Sequence, residues 1–444
     1  MISNRRDFIK KATVGAVGVT LTSGLTSMSA QSYSRILGAN EKIGCAVIGV
    51  RSRAKAHIIA IHQDLNAEIL YNCDVDDTIL EEHNVWCKKN IGYIPKVEKD
   101  FRKILEDKNV DAVFIATPEH WHAPMSILAM QAGKHVYVEK PCSHNPYEND
   151  LLVAAQKKYG KKVQMGNQQR SAPTSMQAIQ DIKEGIIGNV YKGEAYYSNN
   201  RGSIGIGNKI EIPKTLDWDL WQGPAPRTSY KDNIHPYNWH WFRSWGTGEI
   251  HNNGTHEIDI CRWALGVDLP ESVTSFGGKY TYNDDWEFVD NQQVTYMFAN
   301  DKFITWTGHS RGVMKPERGR GTTIYGSKGS IQLDRNFYRL FDLQGNLIKE
   351  ELEKNTSATT NTRGIGGLDV YHVSNFFDAI RKDKSLNSDI QDASTSTMLC
   401  HLGNMAQDAG ETLKIDSKTG KVLNNDKVMQ LWKREYQEGW EPKL

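Results

Sequence analysis

Ile43-Gly44-Cys45-Ala46-Val47-Ile48 is an almost unbroken apolar run, and a chain that contains such a run must cover it on both faces. A strand with one wet face alternates apolar and polar residues; this one does not, so it belongs inside a parallel sheet layered by helices. Comparable runs recur at 67–73, 110–118, 136–138 and 162–166. Between them the residue pattern predicts helices over 54–61, 123–132 and 146–159. Strand, helix and strand in that order impose right-handed crossovers and a doubly wound sheet. The run Val136-Tyr137-Val138 ends in Glu139-Lys140-Pro141, where proline fixes φ and removes an N–H. Lys140 is thereby set at a strand's carboxyl end, the edge where open parallel sheets bind ligands.

Gly49 turns the chain after the first run, as the glycines of a Rossmann turn do to let a pyrophosphate reach a helix N-terminus. Here Arg51 stands at the second glycine position and Ala54 at the third. Arg51 or Arg53, with Ser52 between them, is then expected to meet the phosphates by charge-assisted hydrogen bonds. The plainer reading is a simple strand-to-helix corner. Asp74 ends the second run at about the spacing from Gly49 at which an acidic side chain takes the ribose hydroxyls. With Asp76 and Asp77 beside it a 2′-phosphate would be repelled, which favours NAD over NADP. Asp74 as a helix cap is the structural alternative.

Charge narrows the partners. Lys and Arg total 54 against 53 Asp and Glu, so no bulk charge draws the chain to nucleic acid or to an anionic membrane. A small or neutral partner is expected. The six cysteines are scattered without metal-type spacing and read as buried thiols; no metal is expected. Asn4-Arg5-Arg6-Asp7-Phe8 followed by a mildly apolar, Gly/Thr-rich stretch resembles a twin-arginine export signal over residues 1–30. That leader implies a periplasmic protein exported folded, membrane-associated if the signal is uncleaved. After it no run is long enough to span a bilayer.

Thr117-Pro118 with His120 and His122, then Glu139-Lys140-Pro141, then Met165-Gly166-Asn167-Gln168-Gln169-Arg170, resemble in their succession the glucose-fructose oxidoreductase and inositol dehydrogenase family (Gfo/Idh/MocA). The resemblance implies an NAD-binding Rossmann domain over 40–165 and a substrate-binding α/β domain over 166–444. The second domain would have an open, mostly antiparallel sheet, C-terminal helices returning to the first domain, and a homo-oligomeric assembly. Runs at 190–197, 272–282, 292–298, 303–308 and 322–333 alternate as a one-sided sheet should, with a hairpin turn over 326–329. The resemblance also places Thr117, Pro118, His120, His122, Glu139, Lys140 and Asn167 at the cofactor and Gln169 and Arg170 at the substrate.

Family members carry an Asp four residues before a catalytic His, one helical turn apart and on one face. Here the pair is Asn252 and His256, with His251 adjacent, in the segment 246–259. Lys140 is the acid/base candidate, aided by His256. Without a carboxylate at 252 to hold it charged, Lys140 beside a nicotinium is expected to have a lowered pKa. The aromatic segment 234–245, with Trp239, His240 and Trp241, suits the C–H faces and hydroxyls of a sugar, or else plugs the domain interface. His372, on an amphipathic helix over 371–380 after a polar loop over 353–367, is expected with His251 to reach the substrate.

The expectation is an NAD-dependent oxidoreductase acting on a ring hydroxyl of a sugar, glycoside or cyclitol, with a 3-keto-glycoside as one product. One alternative is an NAD-dependent glycosidase working by oxidation and elimination, with His251, His235 or Glu249 as a second base. The resemblance argues against it, because those glycosidases lack the Glu-Lys-Pro lysine. A non-catalytic sugar-binding protein is the other alternative.

Overall fold

Six strands form the first sheet: β1 (Ile43–Ile48), β2 (Ala67–Cys73), β3 (Lys96–Glu98), β4 (Ala112–Ile115), β5 (His135–Val138) and β6 (Val163–Met165). They lie in the order β3-β2-β1-β4-β5-β6, all parallel. Every residue of β1 and β4 is buried, as continuous apolar runs require. The computed structural model describes residues 42–312, 319–353 and 367–444; the leader expected over 1–30 and nearly all of the polar loop expected over 353–367 lie outside them.

Local chemistry sets the helices between these strands. These are α1 (Ala54–His62), α2 (Asp77–Ile91), α3 (Phe101–Glu106), α4 (His122–Gln131) and α5 (Pro146–Tyr159). Asp76 caps α2 by accepting from Thr78 N at 2.9 Å, and Asn145 caps α5, which has proline in its first turn. The strand order reverses between β1 and β4, and there the carboxyl ends of the strands open a crevice.

After α6 (Pro173–Lys183) the chain builds a second sheet. Its strands are β7 (Val190–Ser198), β8 (Ser272–Gly278), β9 (Asn291–Met297), β10 (Phe303–His309), β11 (Arg320–Gly326), β12 (Gly329–Leu333), β13 (Phe337–Phe341), β14 (Leu347–Leu352) and β15 (Leu413–Lys414). Their order is β14-β13-β12-β11-β7-β10-β9-β8-β15, antiparallel except where β7 pairs β10. Burial alternates residue by residue along β10, so one face carries the core and the other does not. The turn at 326–329 joins β11 to β12 as the sequence pattern predicts. The pattern does not predict β3, β13, β14 or β15: β3 and β15 are too short for a period, and β14 is an edge strand with mostly exposed side chains.

Between the strands of this sheet lie α7 (Trp218–Gln222), α8 (Thr255–Leu265), α9 (Gly367–Lys382) and α10 (Ile390–Ala409); α11 (Asp426–Met429) follows β15. α9 packs on the first sheet. Its Phe376 ring lies 5.7 Å from Phe114 of β4 and 5.9 Å from Tyr137 of β5, centroid to centroid.

Candidate active site

The crevice at β1 and β4 deepens into a cavity of about 390 Å3, walled by the carboxyl ends of the parallel strands and by residues of the second sheet and its connections. It brings together Gly49, Arg51, Ser52, Arg53, Asp74, Thr117, Pro118, His122, Glu139, Lys140, Trp239, His240, Asn252 and His256.

At the β1 end, Gly49 has φ +83°, and a Cβ there would lie 2.6 Å from the Ala116 carbonyl oxygen. Only glycine lets the turn pass so close to the end of β4. Val50 N donates to Asp74 Oδ2 at 2.9 Å, tying β2 to the turn, and burial pushes the Asp74 carboxyl up to about 6. The structure corrects the expectation for Arg53. Its Nε donates to Glu139 Oε1 at 2.8 Å and its terminal nitrogens meet Asp369 of α9, so it holds protein carboxylates instead of phosphate. Arg51 lies 5.7 Å over the Tyr237 ring at the cavity wall. The residues fit a dinucleotide: the buried Thr117 hydroxyl in the wall lacks a hydrogen-bond partner, and Asp74 offers acceptors for ribose hydroxyls.

At the reaction end, Lys140 Nζ donates to the Asn252 backbone carbonyl, with Asn252 Oδ1 at 3.5 Å. Burial pushes the ammonium down to about 8, aided by Arg335 and opposed by Glu119, Glu139 and Glu249. The direction is the one expected from the sequence; its cause here is desolvation by the protein. Asn252 is not on an α-helix. Residues 250–254 form a π-helical turn, and α8 begins at Thr255, so Asn252 and His256 span a change of helical pitch. Burial, with Arg335, Lys140 and Arg320 nearby, holds His256 well below its ordinary pKa, and hence neutral.

Seven predicted site residues lie off the cavity wall. His120 bonds the Trp221 carbonyl at 3.0 Å, joining the β4 loop to α7. Arg170 forms a buried two-point pair with Asp259, at 2.7 and 2.8 Å. His372 is bound at both ring nitrogens, to Ser171 Oγ and the Met165 carbonyl. Trp241 is buried and stacks on Trp286, centroids 3.6 Å apart. His251 is buried against His401. Asn167 and Gln169 are buried with side-chain amides that have no hydrogen-bond partner, behind the wall and not in it. Glu119 and Arg201 do line the cavity, yet no spacing signal in the sequence marks either. Burial pushes the Glu119 carboxyl up to about 7, whereas the Arg201 guanidinium pairs with Glu249 at 2.8 Å.

Residues 43–167 match the oxidoreductase family with an NAD-binding Rossmann fold, and residues 176–332 match the GFO/IDH/MocA C-terminal domain. The chain belongs to the Gfo/Idh/MocA family. As a member it carries the NAD-binding domain of that family, with NAD as cofactor. Among curated relatives, a glycosyl hydrolase family 109 protein of Shewanella pealeana is 28% identical over 211 residues, 44% of this chain and 46% of that one. The match thus spans less than half of that relative's length. The alpha-N-acetylgalactosaminidase of Tannerella forsythia is 24% identical over 450 residues, 91% of this chain and 94% of that one. Two solved structures share the fold: levoglucosan dehydrogenase with NADH and levoglucosan (TM-score 0.65, 18% identity, 84% of this chain and 99% of that one) and the WlbA dehydrogenase of Bordetella pertussis with NADH and UDP-GlcNAcA (TM-score 0.63, 18% identity, 85% and 99%).

Proposed function

We propose that this Gfo/Idh/MocA protein oxidises a ring hydroxyl of a sugar, glycoside or cyclitol. The observation that carries the reading is Lys140, a half-buried amine with a lowered pKa, held against Asn252 in the cavity that also contains Asp74 and Thr117. NAD, when bound, supplies the hydride acceptor. The chain's own part is the proton. Neutral Lys140 takes it from the substrate hydroxyl, His256 as a neutral imidazole orients that hydroxyl, and Trp239 with His240 offers the ring a flat apolar face. Export by the leader to the periplasm and assembly as a homo-oligomer complete the reading.

A second reading has support from the relatives named as glycosidases: oxidation followed by elimination of the aglycone. The acid or base it needs is at hand in Glu119, which lines the same cavity. A glycoside deuterated at the oxidised carbon separates the two. The proposal expects label on NADH and a keto-glycoside that keeps its aglycone. Release of aglycone with no keto-sugar and no net NADH would overturn it in favour of elimination.

A further inference from the structure

Glu119 stands on the turn after β4, 2% exposed, and lines the main cavity together with Lys140. Its Oε2 accepts a hydrogen bond from the Thr247 hydroxyl. Thr247 faces a different space: it lines a second cavity of about 120 Å3, shared with His144, His401, Asn404, Arg243 and Asp408. Arg243 and Asp408 are exposed, so this second cavity reaches the surface. Its inner side is short of partners. His401 packs at 4.3 Å on His251, whose two ring nitrogens are both buried with no hydrogen-bond partner. Polar atoms in that position are ordinarily served by buried water. The Glu119–Thr247 hydrogen bond is therefore the partition between a catalytic cavity and a polar path to solvent.

We propose that Glu119 and Thr247 form a proton exit, through which the proton that Lys140 takes from the substrate leaves by the second cavity. The inference rests on the reading of Lys140 as the base. In the relay an N–H bond of Lys140 breaks as its proton passes to a water in the main cavity, and that water gives one of its own protons to Glu119, forming an O–H bond there. Glu119 then gives that proton to the Thr247 oxygen while Thr247 releases its own hydroxyl proton to water in the second cavity. Lys140 ends neutral and Glu119 ionised, as they began, and one proton reaches solvent for each hydride transferred. The groups facing Glu119 suit this traffic. Burial raises its carboxyl to about 7, Thr247 and Lys140 act against burial, and Glu249 adds to it, so Glu119 can hold or lose a proton near neutrality.

The test uses the full-length protein with NAD and a panel of glycosides, following NADH by absorbance and proton release by a pH-indicator dye in the same mixing experiment. In the unsubstituted protein the two signals should keep pace. In Thr247→Val the ratio of proton-release rate to NADH-formation rate should fall by about tenfold or more, and Thr247→Ser should restore it. Release that keeps pace with NADH in Thr247→Val overturns the exit. Formation of no NADH from any glycoside overturns the oxidoreductase reading instead. In that event infrared titration decides about the relay pair: a carboxyl band missing in Glu119→Gln should shift its midpoint in Thr247→Val, and an unshifted midpoint overturns the pairing.

Discussion

Arg53 Nε and Glu139 Oε1 lie 2.8 Å apart, and the same carboxylate oxygen meets His57 Nε2 at 2.8 Å and Gln168 Nε2 at 3.1 Å. The glutamate of Glu-Lys-Pro is thus an anchor. It fixes the residue before Lys140 to the start of α1, and through Arg53 to Asp369 at the start of α9. Arg53→Ala leaves two buried carboxylates without their cation, which costs about 3 kcal/mol. Chemical denaturation should show that loss, whereas Arg51→Ala, at the cavity wall, should leave stability nearly unchanged and weaken NAD binding in titration calorimetry.

Lys140→Met removes the proposed base while keeping the length and most of the volume of the side chain. Turnover should fall by roughly 100-fold or more, with NAD affinity retained. Near-normal turnover in that variant would take Lys140 out of the mechanism.

The pH profile follows from the direction of the Lys140 shift. The neutral amine is the active form and exists above its pKa, so kcat/KM for oxidation should rise as pH climbs through about 8. Asn252→Asp places a carboxylate beside the ammonium and stabilises the charged form. The rising limb should then move to higher pH. A limb that stays in place would mean that another group titrates in it.

Gly49→Ala meets both a positive φ and a contact of 2.6 Å with the Ala116 carbonyl oxygen. Strain of about 1–2 kcal/mol from φ alone, with the clash added, should lower the thermal midpoint and weaken NAD binding together. Unchanged NAD affinity would show that the turn does not shape the dinucleotide site.

Trp239 and Trp241, two residues apart, should separate cleanly. Trp239→Ala removes a cavity-wall ring and is expected to raise KM for the sugar with little effect on folding. Trp241→Ala empties a buried stack on Trp286 and should destabilise by about 3–5 kcal/mol. Equal effects of the two on KM would contradict the assignment of the sugar platform.

The sequence by itself determined the parallel sheet except for its short edge strand β3, because β1, β4, β5 and β6 write their burial into nearly continuous apolar residues and the turns of the sheet are written into Gly49, Asp74, Thr117-Pro118 and Lys140-Pro141. Those are local signals, carried by strand period and by the backbone limits of glycine and proline. What only the tertiary structure decided is which polar side chain meets which. Arg53 and Asp369 stand 316 positions apart, and Glu119 and Thr247 stand 128 apart, so no spacing rule joins them. His120, Arg170 and His372 carry the residue types of a binding site, yet each is turned to a protein partner. A charged or ring side chain takes the nearest group that offsets its desolvation, and that group is supplied by packing of distant segments.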